Sequence, residues 1–208
     1  MRVTFTELGP AEFRPAIDAF VAVYAAAMNP PDRMLAGRDA ILDRHAANPG
    51  FRAFAALLPA EGDPSGPGTT LAGFTYGFHG TPGQWWHDMV AAALAQPRRR
   101  GLDARGGADG RGWLDDSFEV AELHVLPAYQ GMGIGRELLR RLTAGRPERT
   151  AVLSTADAES RARRHYRGVG FTDLLTGYRF AGGEPPYAVM GAALPLDGAA
   201  RSASPRSS

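Results

Sequence analysis

The sequence predicts an α/β fold in a single domain spanning residues 1–196. Strand-like and helix-like segments are interspersed along the chain without regular βαβ alternation, and a glycine-rich turn at 129–136 sits directly between an apolar strand and an amphipathic helix. With 208 residues and 44% apolar content, the chain can bury one sizeable core.

Val3 to Thr6 reads as a short first strand, broken by Leu8-Gly9-Pro10. Phe13, Ile17, Phe20, Val21, Tyr24 and Met28 recur at helical spacing and predict a helix from near Pro15 to Met28, with the proline in its first turn. Asn29-Pro30-Pro31 ends it, and Asp39 to Ala46 gives a shorter second helix through Ile41, Leu42 and His45. Phe51 to Leu58 and Leu71 to Phe78 form an expected antiparallel hairpin around the Gly- and Pro-rich stretch 59–68. The connection from Thr81 to Ser117 is long; it contains a helix-like run, Gln84 to Leu94, and a flexible stretch from Pro97 to Gly112. Long irregular connections in compact domains tend to be lids, binding loops or disordered segments, so 81–117 is read as a lid or acceptor-side wall, with a solvated insertion as the alternative. Phe118 to Pro127 is apolar, β-rich and stopped by proline, which makes it a strand, and a helix follows the glycines from Glu137 to Leu142. Thr150 to Thr155, Phe171 to Phe180 and Tyr187 to Leu194 supply further strands, with a helix at Glu159 to Gly168. The tail 197–208, mostly Ala, Ser, Arg and Pro, is expected to be disordered.

Composition removes several classes of function. The net charge of +1 gives no global reason to expect nucleic acid or an anionic membrane as partner, and no stripe of aromatics interleaved with basic residues points to nucleic acid. There is no cysteine, which excludes disulfides, thiolate metal sites and a covalent thioester relay through the protein. Five scattered histidines without H-E-x-x-H or other ligand spacing give no metal site. The N-terminus lacks the apolar core of a secretory signal and no apolar stretch approaches a membrane span, so a soluble cytoplasmic protein is expected. Richness in Ala, Gly, Arg and Pro, with all 23 Lys+Arg positions filled by arginine, suggests a GC-rich bacterial genome.

The run Tyr129-Gln130-Gly131-Met132-Gly133-Ile134-Gly135-Arg136 reads as a phosphate-binding turn. Alternating glycines let the backbone bring its N–H groups close to a ligand, and the helix that follows presents unpaired N–H groups and a positive dipole end. A ligand-free connection is the plain alternative. A P-loop is absent, because no Gly-Lys is followed by Ser or Thr. A dinucleotide fingerprint lacks its third glycine, since Arg136 stands there, although Asp157 can imitate its ribose-binding acid.

The strand, V-L-P-A-Y-Q-G-M-G-I-G and the helix, in that order, resemble the acetyl-CoA-binding motif of the GNAT superfamily of N-acetyltransferases, with Gln130, Gly133 and Gly135 at its signature positions. Ser160 to Phe171, ending in Tyr166, three residues and Gly170-Phe171, resembles the superfamily's later helix. The likeness covers Val3 to about Leu194 and is strongest from Phe118 to Phe171. It implies a mixed, mainly antiparallel central sheet flanked by helices, with a splayed strand pair holding acyl-CoA. It also implies transfer of an acetyl group from acetyl-CoA to a primary amine of a small molecule or peptide by direct attack. By resemblance, backbone amides of Gln130, Gly131, Met132, Gly133, Ile134, Gly135 and Arg136 hold the pyrophosphate, and Leu123, His124 and Val125 pair with the pantetheine arm and offer an N–H to the thioester oxygen. Tyr166 stands where a phenol protonates the departing thiolate, with packing between helix and sheet as its other reading. Ser160 occupies a pantetheine-binding position usually filled by Asn.

A proton acceptor is harder to name. Glu122 serves if burial raises its pKa, and His124 titrates naturally near neutrality; strand alternation puts both on one face, with Glu122 slightly preferred. Either can instead be a satisfied structural group. Trp85, Trp86 and His87 read as core or as an acceptor-pocket wall, and Asp115, Asp116 and Glu119 as cation-attracting or loop-solubilising. Arg161, Arg163, Arg164 and Arg167 read as a solvated face. A non-catalytic acyl-CoA-binding regulatory module and a nucleotide-binding oxidoreductase stay open. So do the acceptor and the oligomeric state, a homodimer being one option.

Overall fold

The computed structural model describes residues 2–59, 68–96, 112–180 and 185–196. Its elements are β1 (Thr4–Leu8), α1 (Pro10–Phe13), α2 (Ile17–Met28), α3 (Arg38–His45), β2 (Arg52–Pro59), β3 (Thr69–Gly80), α4 (Trp85–Leu94), β4 (Ser117–Val125), α5 (Ile134–Thr143), β5 (Thr150–Ala156), α6 (Arg161–Arg167), β6 (Thr172–Tyr178) and β7 (Tyr187–Ala193). Seven strands in the order β1-β2-β3-β4-β5-β7-β6 form a mixed, mostly antiparallel sheet flanked by helices, the expected fold class. The chain divides into two compact units, Met1–Phe78 with Val120–Leu142, and His79–Glu119 with Thr143–Ser208.

In the first unit, β1 and β2 pair antiparallel from Thr4↔Leu57 to Leu8↔Ala53, and β2 pairs with β3 through a register shift at Ala56/Leu57. Side chains two apart on a strand share a face, so Ala53 and Ala55 join Phe74, Tyr76 and Phe78 against the helices. Phe13, Ile17, Phe20 and Val23 from α1 and α2, and Leu42 from α3, complete this core. Ring contacts at 4.8 Å (Phe13–Phe20), 4.7 Å (Phe20–Phe74) and 5.2 Å (Phe13–Tyr76) tie helices to sheet.

The first helix departs from its expected form. Gly9-Pro10 starts a helical turn instead of merely breaking the strand, because Pro10 suits a first helical position and the Gly9 N–H donates to the Glu12 carboxylate at 3.0 Å. A 3-10 turn at Arg14–Ala16 then links α1 to α2, and Met28 is exposed rather than core. Asn29, in the left-handed conformation that asparagine tolerates, caps α2 through its N–H to Ala25 O.

In the second unit, the parallel β4–β5 ladder consists, among the described residues, of Ser117↔Thr150, Phe118↔Ala151 and Glu119↔Val152, while β4 itself continues to Val125. β5 pairs with β7 over its whole length, and β6 closes on β7. The helix expected in the long connection is α4. Its Val90 and Ala93 pack with Val152, Leu174, Leu175 and Val189, and two polar contacts pin it: Trp86 Nε1 donates to Ser154 Oγ at 3.2 Å, and the Tyr178 hydroxyl to Met89 O at 3.3 Å. Trp86, partly buried, packs against this core. The stretch 97–111 and the expected disordered tail 197–208 lie outside the described residues, as does most of the turn 59–68. Among the described residues no helix is long and apolar enough to cross a membrane.

Candidate active site

The glycine turn grows from the end of β4. The Leu126 N–H donates to Ala72 O at 2.8 Å, a 3-10 turn at Pro127–Tyr129 closes through the Tyr129 N–H to Leu126 O at 2.9 Å, and Gln130 Nε2 reaches back to Val125 O at 3.0 Å. Gln130 therefore braces the turn onto the strand with its side chain. Gly131 and Gly133 hold φ of +84° and +81°, a conformation costing an L residue about 1–2 kcal/mol. A Cβ at Gly133 would meet no atom within 4 Å, so the space over the turn is open.

Helix α5 starts at Ile134, three positions before the expected Glu137, because the glycine run itself ends in helical backbone and the Glu137 N–H bonds Gly133 O at 3.1 Å. The N–H groups of 134–136 have no acceptor within the helix and lie at its positive end. Buried Ile134, Leu138, Leu139 and Leu142 fix α5, whereas Gln130 to Gly133 are exposed. Arg140 and Arg141 both bond Glu137; Arg140 chiefly, against a smaller effect of burial, holds that carboxyl below its usual range. Arg136 is exposed and carries no ion pair among the described residues, which leaves its guanidinium for an anion. Open space over left-handed glycines, free helix N–H groups and an uncommitted arginine fit a pyrophosphate.

On the same strand, Glu122 and His124 face one way and touch, His124 Nε2 bonding Glu122 Oε2. Arg38, the first residue of α3, donates Nη2 to the other carboxylate oxygen, Oε1. All three side chains are largely buried, at 12%, 11% and 15% exposure. The Arg38 guanidinium lies 3.4 Å from the centre of the Tyr24 ring, and Tyr24 in turn meets the His124 ring edge to face at 5.1 Å. Thr75 Oγ1 fixes the backbone beneath by donating to Glu122 O at 2.7 Å.

Glu122 serves as a base only if burial raises its pKa, and here that pKa falls. Burial is the largest single influence and does push it up, but its neighbours outweigh it, His124 first, then Arg38 and, when protonated, His45. Glu122 is thereby kept ionised and acts as the partner of His124. His45 contacts the Tyr76 hydroxyl through Nδ1 at 3.0 Å, and burial pushes its pKa down to about 4, so it is neutral at pH 7.

In the second unit, Tyr166 is buried on α6 with ring neighbours His165 and Phe171, both at 5.7 Å. Ser160 caps α6, its Oγ accepting the Arg163 N–H at 3.1 Å, which leaves the hydroxyl proton free to donate. The arginines of α6 are not uniformly solvated. Arg163 is buried between Asp157 and Asp173, and Arg167 joins Asp173 to Glu159. Asp157, the ribose-acid candidate, is committed to Arg163 and to the Gly177 N–H. Trp85 is 61% exposed and lies tilted against Phe180, while His87 is buried beside Asp88. Asp115 closes a local turn by accepting the Gly112 N–H, and Glu119 is buried in β4, so neither simply solubilises a loop. Among the described residues no group of three or more His, Cys, Asp or Glu is placed to hold a metal ion.

Residues 98–173 match the model of the acetyltransferase (GNAT) domain. A GCN5-like protein acetyltransferase of Mycobacterium tuberculosis is 34% identical over 212 residues, covering 94% of this chain and all of the relative. Arabidopsis thaliana NAA60 in complex with acetyl-CoA superposes with a TM-score of 0.57 at 14% identity, over 93% of this chain and 99% of that one. The ribosomal-protein-S18-alanine N-acetyltransferase of Escherichia coli gives 0.54 at 16% identity, over 92% and 94%. The chain belongs to the GNAT acetyltransferase family.

Arg38 and Thr75 are absent from the sequence-based expectations, and Tyr24 and His45 enter them only as helix-face residues. Arg38 follows a glycine and precedes an aspartate, which reads as a solvated helix start. One signal was present: a cation at a helix N-terminus opposes the macrodipole and so needs a specific anionic partner.

Proposed function

We propose that this chain is an acetyl-CoA-dependent N-acetyltransferase acting on a primary amine. The observation that carries the reading is the exposed turn in which left-handed Gly131 and Gly133 open into the N-terminus of α5. The name of the mycobacterial relative, a protein acetyltransferase, favours a peptide-borne amine over a small molecule.

Acetyl-CoA supplies an acyl group activated as a thioester. Backbone N–H groups from Gln130 to Arg136, with the Arg136 guanidinium, hold the pyrophosphate, and Ser160 donates its remaining proton to the pantetheine. Leu123, His124 and Val125 offer backbone groups to the pantetheine arm; the short ladder between β4 and β5 supports this use of the strand. The Val125 N–H polarises the acyl oxygen. His124, with Nε2 engaged by Glu122, receives at Nδ1 the proton the acceptor ammonium must lose before its nitrogen attacks. Glu122 keeps its charge and steadies the imidazolium that results. Tyr166 gives its phenolic proton to the departing sulfur. With no cysteine in the chain, the C–N bond forms directly as the C–S bond breaks.

Calorimetric titration tests the reading. Micromolar binding of acetyl-CoA with no binding of NADH, followed by thiol release on a panel of peptide amines, is expected. Failure to bind acetyl-CoA would overturn it, and binding without turnover on any amine would make the chain a regulatory acyl-CoA module.

A further inference from the structure

Four side chains from three elements close into a ring: Arg38 to Glu122, Glu122 to His124, His124 to Tyr24, and Tyr24 back to Arg38. We infer that Arg38 is a positioning residue, clamped on the Tyr24 ring so that it fixes the Glu122 carboxylate, ionised and oriented, against His124. The inference rests on the acetyltransferase reading for its kinetic consequence and on geometry alone for its placement.

Each contact restricts the next. A guanidinium is planar, and stacking at 3.4 Å on Tyr24 fixes the plane in which its N–H groups point. That plane delivers Nη2 to Oε1 of Glu122, and the carboxylate, held at one oxygen, turns the other to His124. Tyr24 limits rotation of the imidazole by meeting its ring at 84°, and Phe74 lies along it at 5.6 Å. The Glu122 carbonyl is already fixed by Thr75, so neither backbone nor side chain of the carboxylate is free to swing.

The charges facing the pair come from every packed element. α3 contributes Arg38 and His45, β4 holds Glu122 and His124, α2 brings the Tyr24 phenol, and β3 brings Tyr76 beside His45. His45 is neutral at pH 7, and Arg44 acts on His45. Arg38 is therefore the permanent cation at the pair. Removing it takes a positive charge from beside Glu122, so the carboxylate holds a proton more readily.

The test uses the whole chain with Arg38→Met and Arg38→Lys, with Arg38→Gln in reserve should the first not fold, and Arg14→Met, at an exposed ion pair, as control. The Glu122 carboxyl is titrated by carbon NMR, assigned through Glu122→Gln. In Arg38→Met its midpoint is expected to rise by about one unit, while Arg38→Lys and Arg14→Met leave it near the wild type. Turnover at saturating acetyl-CoA should drop about tenfold or more in Arg38→Met and recover partly in Arg38→Lys, with acetyl-CoA affinity unchanged. An unmoved Glu122 midpoint in Arg38→Met and Arg38→Gln would overturn the inference. Wild-type protein without turnover would instead refute the acetyltransferase reading, and the NMR midpoint would still decide the role of Arg38.

Discussion

His45 gives the fold a pH dependence that can be worked through. Its pKa is pushed from the ordinary 6.5 to about 4, first by burial and then by Arg44 and Arg38, with Glu122 opposing. The unfolded chain takes up this proton near pH 6.5 and the folded chain only near 4, so stability held by the neutral imidazole is complete above about 6.5. It drains away as pH falls through that interval and levels off below about 4. At 1.36 kcal/mol per unit, the loss between about pH 7 and pH 5 comes to about 2 kcal/mol. His45→Gln removes the titration. Urea unfolding of both proteins at the two pH values should show wild type losing about 2 kcal/mol more than the variant. Equal pH dependence in the two would refute the reasoning, because it would mean that the imidazole charges in the folded state at no cost.

Tyr166→Phe is expected to cut turnover about a hundredfold with little change in acetyl-CoA affinity, measured by thiol release and calorimetry; equal turnover would remove the phenol as acid. Gly73→Ala should disturb β4, since a Cβ there would stand 2.7 Å from His124 O and 3.1 Å from Val125 Cα, both backbone atoms that no rotamer change can withdraw. The expected result is about tenfold weaker acetyl-CoA binding by calorimetry, roughly 1.4 kcal/mol, and unchanged affinity would show that the strand yields freely.

Much of the fold was legible in the sequence because apolar periodicity and proline placement act locally. The strand at 117–125, the helix at 85–94 and the helix at 161–167 all stand within a few residues of their expected bounds. The glycine turn was legible for the same reason, a dense signal confined to eight residues. Contacts between distant segments were not legible. Arg38 and Glu122 are 84 positions apart, and nothing near either says that one neutralises the other. That long-range pairing helps hold the Glu122 pKa down, so the condition for Glu122 as a base is not met; burial could be inferred from a strand but its compensating cation could not. Arg163 failed in the same way: its neighbours Arg161, Arg164 and Arg167 suggested solvent, while its partners Asp157 and Asp173 lie on either side of α6 in sequence.

The arginines that build these ion pairs also determine what the chain is not. Every one of its 23 Lys+Arg positions is arginine, and among the described residues each side-chain ion pair takes its cation from a guanidinium or an imidazole. A guanidinium stays protonated and is no acyl acceptor at neutral pH, whereas an ε-amine has a small neutral, nucleophilic fraction. The chain thus exposes no lysine side chain to an acyl donor bound on its own surface, and its internal charge pairs are immune to acetylation of the kind that would dissolve a lysine bridge.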